Sequence, residues 1–315
     1  MKNFLIILFF ILLSFQSSAN QDYPTRPIRF LVGAAPGGGG DTSARILQDS
    51  LAQHLKMNVI IDNRSSAGGM LAREIMNNST NYGYTIYFIS ASQVINSILT
   101  HGDAISNSNI LLISTVSKQS YVLAVNPKSE VTRVQDLIDL AKKNPNKITY
   151  GSFGVGTLNH LAGLILSQKA NVNFLHIPYK GSTAAVQDLL GNQISFVFSS
   201  GSAVISHIQT NRLRAIAVSS STRTSILPNV PTVEESGIKD FNVIGWYGIT
   251  VHKKTDKEII SKLSNVINLV LQDSKIISKF NGIGSDVWIS NTKQAQSILK
   301  QTEDRYKGII DRNSF

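Results

Sequence analysis

Cysteine is absent from the 315 residues. That excludes a disulfide framework, a thiolate nucleophile and a lipid-modified cysteine, and leaves the core alone to hold the fold. Acid is scarce: 20 Asp and Glu stand against 30 Lys and Arg, a net charge of +10 at pH 7. No carboxylate pair gathers at a loop mouth for acid–base work. The basic residues are scattered, with no run longer than two and no aromatic-rich basic motif, which excludes a nucleic-acid footprint. The six histidines, at 54, 101, 160, 176, 207 and 252, show no pair at metal-ligand spacing, so neither a metal nor another cofactor is expected. Beyond the first residues, no apolar stretch approaches the length of a transmembrane helix.

Hydrophobic side chains make up 42% of the chain, enough for a sizeable core and, by length, about two domains. Residues 1–19, MKNFLIILFFILLSFQSSA, place Lys2 before an apolar stretch from Phe4 to Phe15, with Ser17 and Ala19 as small residues at a cleavage site. This pattern predicts a signal peptide, a mature chain starting near Asn20 and a periplasmic location.

The most informative stretch is Ile28 to Asp49, IRFLVGAAPGGGGDTSARILQD. An apolar strand, Ile28 to Val32, runs through Pro36 and the four glycines Gly37, Gly38, Gly39 and Gly40 into a helix expected over Thr42 to Leu55. A turn needs one or two glycines, not four. Main-chain N–H groups uncovered by Cβ atoms, next to a helix N-terminus, suit an anion. Asp41 or Thr42 can serve as the N-cap. The strand Val59 to Ile61 follows, which is the order of a parallel α/β sheet. A second Gly-containing turn (Asn63 to Gly69), a helix start (Leu71 to Met76) and a strand (Thr85 to Ile89) come next, the strand ending in a polar turn at Ser90, Ala91 and Ser92.

The design repeats later. Ile148 to Tyr150 runs into GSFGVGTLNHLAG, with Ser152, Gly154, Val155, Gly156 and Thr157 before a helix from His160 to Ser167. Two such loops point to two lobes facing one ligand. Further strands are expected at Tyr121 to Val125, Phe174 to Pro178, Ile194 to Phe198, Leu213 to Val218 and Val243 to Val251. Helices are expected at Val134 to Lys143, Thr183 to Leu190, Lys257 to Gln272, Ser274 to Phe280 and Thr292 to Asp311. Ile226 to Gly237 reads as a crossing segment followed by a short helix, and Trp246 and Tyr247 as core or hinge packing rather than ligand walls.

Enzyme motifs fail in detail. In a dinucleotide fingerprint, Thr42 or Ser43 would occupy the third position, where close helix packing wants Gly or Ala. No Lys follows the glycines, as a phosphate-binding loop would need, and no G-x-S-x-G elbow occurs. Two S-x-x-K strings, Ser236 to Lys239 and Ser297 to Lys300, lack their partner motifs. No catalytic residue is assigned.

The ordered set YPTRPIRFLV, APGGGGD, NRSSAGG, YGYT, NPNKITYGS, HLAG, IPYKGS, DLLGNQISFVF, LRAIAV, LPNVPTVEESG and WYG resembles the substrate-binding proteins of tripartite tricarboxylate transporters, the Bug family. The resemblance covers essentially the whole mature chain. It implies an α/β, two-lobed periplasmic binding protein of type II, each lobe a sheet flanked by helices with the ligand cleft between. The expected lobes are residues 20–121 plus 224–315, and residues 122–223 inserted. The implied function is capture of a small organic carboxylate by hinge closure, without catalysis, for a membrane permease of that transporter type or a sensor domain, by a monomer. The weighed alternatives are a periplasmic hydrolase of a carboxylic or phosphate ester, and an adhesion or scaffold protein.

The resemblance also implies that the carboxylate sits between Pro36–Asp41 and Ser152–Thr157, held by main-chain N–H groups, a hydroxyl and ordered water. Ser90, Ser92, Tyr179, Gly181 and Ser199 are expected to line the cleft. Asp41 cannot attract an anion; it fixes the loop, holds a bridging water, meets a polar group of the ligand or simply caps the helix. The chain departs from the family at Arg64-Ser65-Ser66-Ala67, where Pro-Gly is usual, and at Tyr82-Gly83-Tyr84, where Asp-Gly-Tyr is usual. It also lacks the acid common after Phe198-Ser199-Ser200, which turns the expectation towards carboxylates or hydroxyls rather than amines.

Overall fold

A computed structural model describes residues 23–65, 69–80, 82–102, 104–179 and 181–311. The expected signal peptide, and Ser66 and Ala67 of the second turn, lie outside these residues.

Two sheets share one long strand. The first contains β1 (Ile28–Val32), β2 (Val59–Asn63), β3 (Thr85–Ser90), β9 (Ile244–His252) and the first part of β4 (Ile110–Val125), in the order β2-β1-β3-β9-β4. Strands β1, β2 and β3 are parallel, and β9 runs antiparallel to both β3 and β4. The short β10 (Asp286–Val287) pairs with β4 at Ser117 and Lys118. The second sheet contains β5 (Thr149–Ser152), β6 (Leu175–Pro178), β7 (Phe196–Ser200) and β8 (Arg214–Val218) with the end of β4. Strand β4 pairs β9 as far as Ser120 and β7 from Tyr121 onward, so a single strand passes from one sheet to the other.

The helices are α1 (Gly39–Leu55), α2 (Met70–Asn77), α3 (Ala91–His101), α4 (Val134–Lys143), α5 (Leu158–Ala170), α6 (Ser182–Leu190), α7 (Gly201–Gln209), α8 (Lys257–Gln272), α9 (Ser274–Gly282) and α10 (Thr292–Ile310). Strands with β-branched and aromatic residues buried on both faces need helical cover on both sides. On one face of the first sheet, Phe30 and Phe88 meet Leu47 and Leu51 of α1 and Leu263 and Ile267 of α8. A second cluster runs from Tyr87 and Leu112 through Tyr121 and Leu123 to Phe196 and Phe198, so the core is continuous across the sheet change. The far face of the second sheet is closed by Val186 and Leu189 of α6 and Val204 of α7.

Three differences from the sequence expectations matter. Ser90 opens no polar turn: it caps α3 through a capping box with Gln93, accepting from Gln93 N at 3.3 Å while its own N–H donates to Gln93 Oε1 at 2.9 Å. Helix α7 starts directly behind Ser200, where only a strand end was expected. Residues 226–237 form turns and a single bridge between Thr232 and Val218, not a short helix, in a segment holding Pro228 and Pro231.

Candidate ligand-binding cleft

Helix α1 begins inside the glycine run. Its N-cap is Gly38, in an extended conformation and without a side-chain capping bond, so neither Asp41 nor Thr42 is the cap. Gly37, at φ 78°, makes the turn that an L side chain resists. Asp41 is 2% exposed and folds back on its own loop. Its Oδ2 accepts from Gly37 N and Arg45 Nε, and its Oδ1 from Asn63 Nδ2, each at 2.9 Å. Burial pushes this carboxyl up, but the bonds from Arg45, Gly37 and Asn63 prevail and hold it below the usual carboxylate range. These bonds tie Asp41 to the glycine loop through Gly37, to α1 through Arg45 and to β2 through Asn63.

The first bond of the α1 ladder runs from Thr42 N to Gly38 O at 2.9 Å. The N–H groups of Gly39, Gly40 and Asp41 precede it and have no side-chain cap. Two helices of the other lobe end in the same way. The N-caps of α6 (Gly181) and α7 (Ser200) also carry no side-chain bond. These three helix starts surround one cavity of about 490 Å³, lined by Gly37, Gly38, Gly39, Thr42 and Ser43 from one lobe and by Phe153, Ser182, Ser200, Ser202 and Ala203 from the other. Gln119, Tyr121, Tyr247, Ile283 and Ser285 form its back, where the chain crosses between lobes. Among the described residues no charged side chain lines it. Ser43 Oγ, in the α1 wall, is buried without a hydrogen-bond partner.

A smaller cavity of about 200 Å³ lies beneath the glycine run, lined by Gly33, Gly40, Gly69, Ser90, Gln93 and Tyr247 among others. Tyr247 borders both cavities. Its ring stacks on Phe88 at 5.1 Å, and a Cβ on Gly39 would come within 3.1 Å of its hydroxyl. Burial raises the phenol to about 12, so it is a donor at neutral pH. Tyr247 thus packs on Phe88 as expected and also borders the cleft; Trp246 is a core residue, its indole N–H donating to Thr302 Oγ1 at 3.0 Å.

The second glycine loop is more heavily bonded within itself. Ser152 Oγ lies 2.6 Å from His176 Nε2, Thr157 Oγ1 donates to Gly154 O at 2.6 Å and also meets Asn159 Oδ1, and Phe153 N donates to Asn159 Oδ1 at 3.3 Å. The loop presents Phe153 to the cleft, whereas Ser152 is buried and Val155 exposed. Gly156, at φ 76°, faces the first lobe: a Cβ there would lie 2.4 Å from Leu99 Cδ1 of α3. Tyr179 turns its hydroxyl to Asp188 at 2.6 Å, and Ser199 is buried behind the wall that its neighbour Ser200 lines. Pro36 is exposed at the loop tip, and Ser92 lines neither cavity.

The crossing between lobes is pinned by hydroxyls. Tyr121 N donates to Ser219 Oγ at 2.8 Å, Ser219 N to Tyr121 O at 2.8 Å, and Ser219 Oγ to Val243 O at 2.5 Å.

Two α/β lobes joined by crossing strands, with helix N-termini converging on the cleft, define the two-lobed fold of solute-binding proteins. The family profile described as "Tripartite tricarboxylate transporter family receptor" matches residues 43–315, and the chain belongs to that family. Protein BugT of Bordetella pertussis (strain Tohama I) is 31% identical over 291 residues, 91% of this chain and 89% of BugT. The structure of the periplasmic binding protein BugD superimposes with a TM-score of 0.76 at 29% identity, covering 92% of this chain and 98% of that one. An R. palustris protein solved with adipate shares the fold, with a TM-score of 0.80 at 23% identity over 92% of this chain and 97% of that one.

Proposed function

We propose that this receptor captures a small organic carboxylate in the periplasm by closing its lobes over it, without transforming it, and hands it as a monomer to a membrane permease of the tripartite tricarboxylate type or to a sensor domain. The carrying observation is the set of three uncapped helix starts, α1 from one lobe and α6 and α7 from the other, around a cleft with no charged side chain among the described residues. An anion there is met by main-chain N–H groups and dipoles from both lobes. A charge-assisted hydrogen bond is worth roughly 1.5–3 kcal/mol and a helix N-terminus roughly 0.3–1 kcal/mol. Several such contacts support micromolar binding after ordering costs. Because the contacts come from both lobes, they are complete only when the cleft is closed, and the ligand shifts the population towards that state.

The lobes in this reading are residues 20–121 plus 224–315 and residues 122–223, after removal of residues 1–19; the exchange of β4 partners between Ser120 and Tyr121 supports the division. The ligand contacts are assigned to the main-chain N–H groups of Gly39–Asp41, shaped by Gly37 and Gly38, the hydroxyls of Ser43, Ser182, Ser200 and Ser202, and Tyr247. Mass spectrometry of the co-purifying ligand, followed by a thermal-shift and calorimetric screen of organic acids, tests the proposal. Saturation at one acid per chain, with the acid recovered unchanged, supports it. Failure of every acid to bind, or turnover of a carboxylic or phosphate ester, refutes it.

A further inference from the structure

His160, in the first turn of α5, and His176, on β6, are far apart in sequence but face each other in space. Their ring centroids are 3.9 Å apart and their planes 21° apart. Tyr150 of β5 stacks on His176 at 4.9 Å and on His160 at 6.3 Å, and Phe196 of β7 stacks on Tyr150 at 5.5 Å. Each imidazole holds one end of the second glycine loop. Gly156 N donates to His160 Nδ1 at 3.1 Å, and Ser152 Oγ lies 2.6 Å from His176 Nε2. To accept from Gly156, Nδ1 must carry no proton, so His160 is the neutral Nε2–H tautomer.

We infer that His160 and His176 are positioning residues that hold the second glycine loop in its binding shape only while both rings are neutral, so that acid loosens the loop and favours ligand release. The part concerning ligand rests on the capture reading above. Protonating His160 turns its Nδ1 into a donor aimed at another donor, the Gly156 N–H. Protonating His176 leaves a bond to Ser152 intact but sets a cation against the His160 ring in an apolar stack. Groups that face the pair from its packed neighbours include Asn159 of α5, Ser152 and Tyr150 of β5 and Phe196 of β7. Of these the Tyr150 phenol is titratable, and it donates to His160 O at 3.3 Å.

Burial and then the neighbouring His176 lower His160 to about 4, and burial lowers His176 to about 4. The sign follows. Above the ordinary histidine value of about 6.5, clamped and freed loops are both neutral and pH has no effect. As pH falls from there towards 4, the freed loop takes up protons that the clamped loop refuses, so the equilibrium moves towards release. A ring that freeing the loop also exposes to water contributes up to roughly 10- to 100-fold at pH 4.5.

The test uses the whole protein labelled at histidine and at backbone nitrogen. Ring NMR titration from pH 7.5 to 4 is combined with amide exchange of residues 154–157, corrected for intrinsic rates, and with adipate binding by calorimetry. The expected result is ring titration well below 6.5, with loop protection falling at least tenfold between pH 7.5 and 4.5. In His160→Asn and His176→Gln the amide groups replace Nδ1 and Nε2 without titrating, so protection at pH 7.5 is kept and the pH dependence flattens. Rings that titrate near 6.5 with an unmoved loop, or a double variant that keeps the wild-type pH profile, overturn the inference; if the variants do not fold, the wild-type titration decides. Loosening in acid by a protein that binds no organic acid supports the clamp and refutes the capture reading. Adipate binding with a loop indifferent to acid does the reverse.

Discussion

Asp41→Ala isolates how the first glycine loop keeps its shape. Asp41 is buried among three donors, Gly37 N, Asn63 Nδ2 and Arg45 Nε, all at 2.9 Å. Arg45 is 52% exposed and its contribution is screened, so the loss falls mainly on the other two. A bond to a charged acceptor is worth roughly 1.5–3 kcal/mol, which bounds the pair at about 6 kcal/mol. Water can reach Gly37, and Asn63 Nδ2 keeps its bond to Ala34 O at 3.0 Å, so the expected cost is about 2–3 kcal/mol. Asp41→Asn is expected to cost nearly as much, because an amide must turn its NH₂ group towards a donor. The depressed carboxyl adds a pH signature: its stabilisation is complete above the unfolded value of about 3.9 and is lost as pH falls through the lower folded value, so wild type and Asp41→Asn converge at the acid end. Urea unfolding with unchanged m gives the magnitude, and calorimetry should show weaker ligand binding in both variants. A cost under about 0.5 kcal/mol with unaltered affinity would refute the loop-fixing role.

Gly156→Ala places a Cβ at positive φ, worth about 1–2 kcal/mol, and forces Leu99 of the other lobe to move from 2.4 Å. Leu99→Ala removes the second penalty only, so a double-mutant cycle should show coupling above about 0.5 kcal/mol; strictly additive costs would mean that this interlobe contact is absent in solution. Tyr247→Phe keeps the stack on Phe88 and removes the phenol at the cleft, so unfolding should be unchanged while affinity for the carboxylate falls about 3- to 10-fold, the worth of one neutral hydrogen bond. Equal affinity in both proteins would remove Tyr247 from the ligand contacts.

The elements that the sequence made legible are those with strong local chemistry. Helices α4 (Val134–Lys143) and α8 (Lys257–Gln272) have the expected bounds because apolar periodicity and flanking stop signals agree. Helices α3 and α7 were illegible for a shared reason: each starts directly at a strand end carrying serine, and a serine there reads equally as a turn residue or an N-cap. For α3 the S-x-x-Q spacing of Ser90 and Gln93 was the available signal. The family resemblance pointed to both glycine loops, but their side chains sort by register. Ser199 and Ser200 are chemically identical, yet alternation along β7 buries one and brings the other to the cleft.

The same limit explains why the cleft's walls could not be assembled from motifs. Uncapped N–H groups belong to every residue type, so Ser182, Ser202 and Ala203 carry no compositional mark; what selects them is that the helix starts after β6 and β7 line the same cavity as the start of α1 after β1. His160 and His176 show the converse. Their spacing matches no ligand pattern because they sit on different elements, and only the parallel pairing of β5 with β6 sets Tyr150 opposite His176 and brings both rings to the ends of one loop. Local chemistry therefore specifies what each loop can bind, whereas strand order specifies which loops face each other, and the acid response of the His160–His176 pair depends on the second of these.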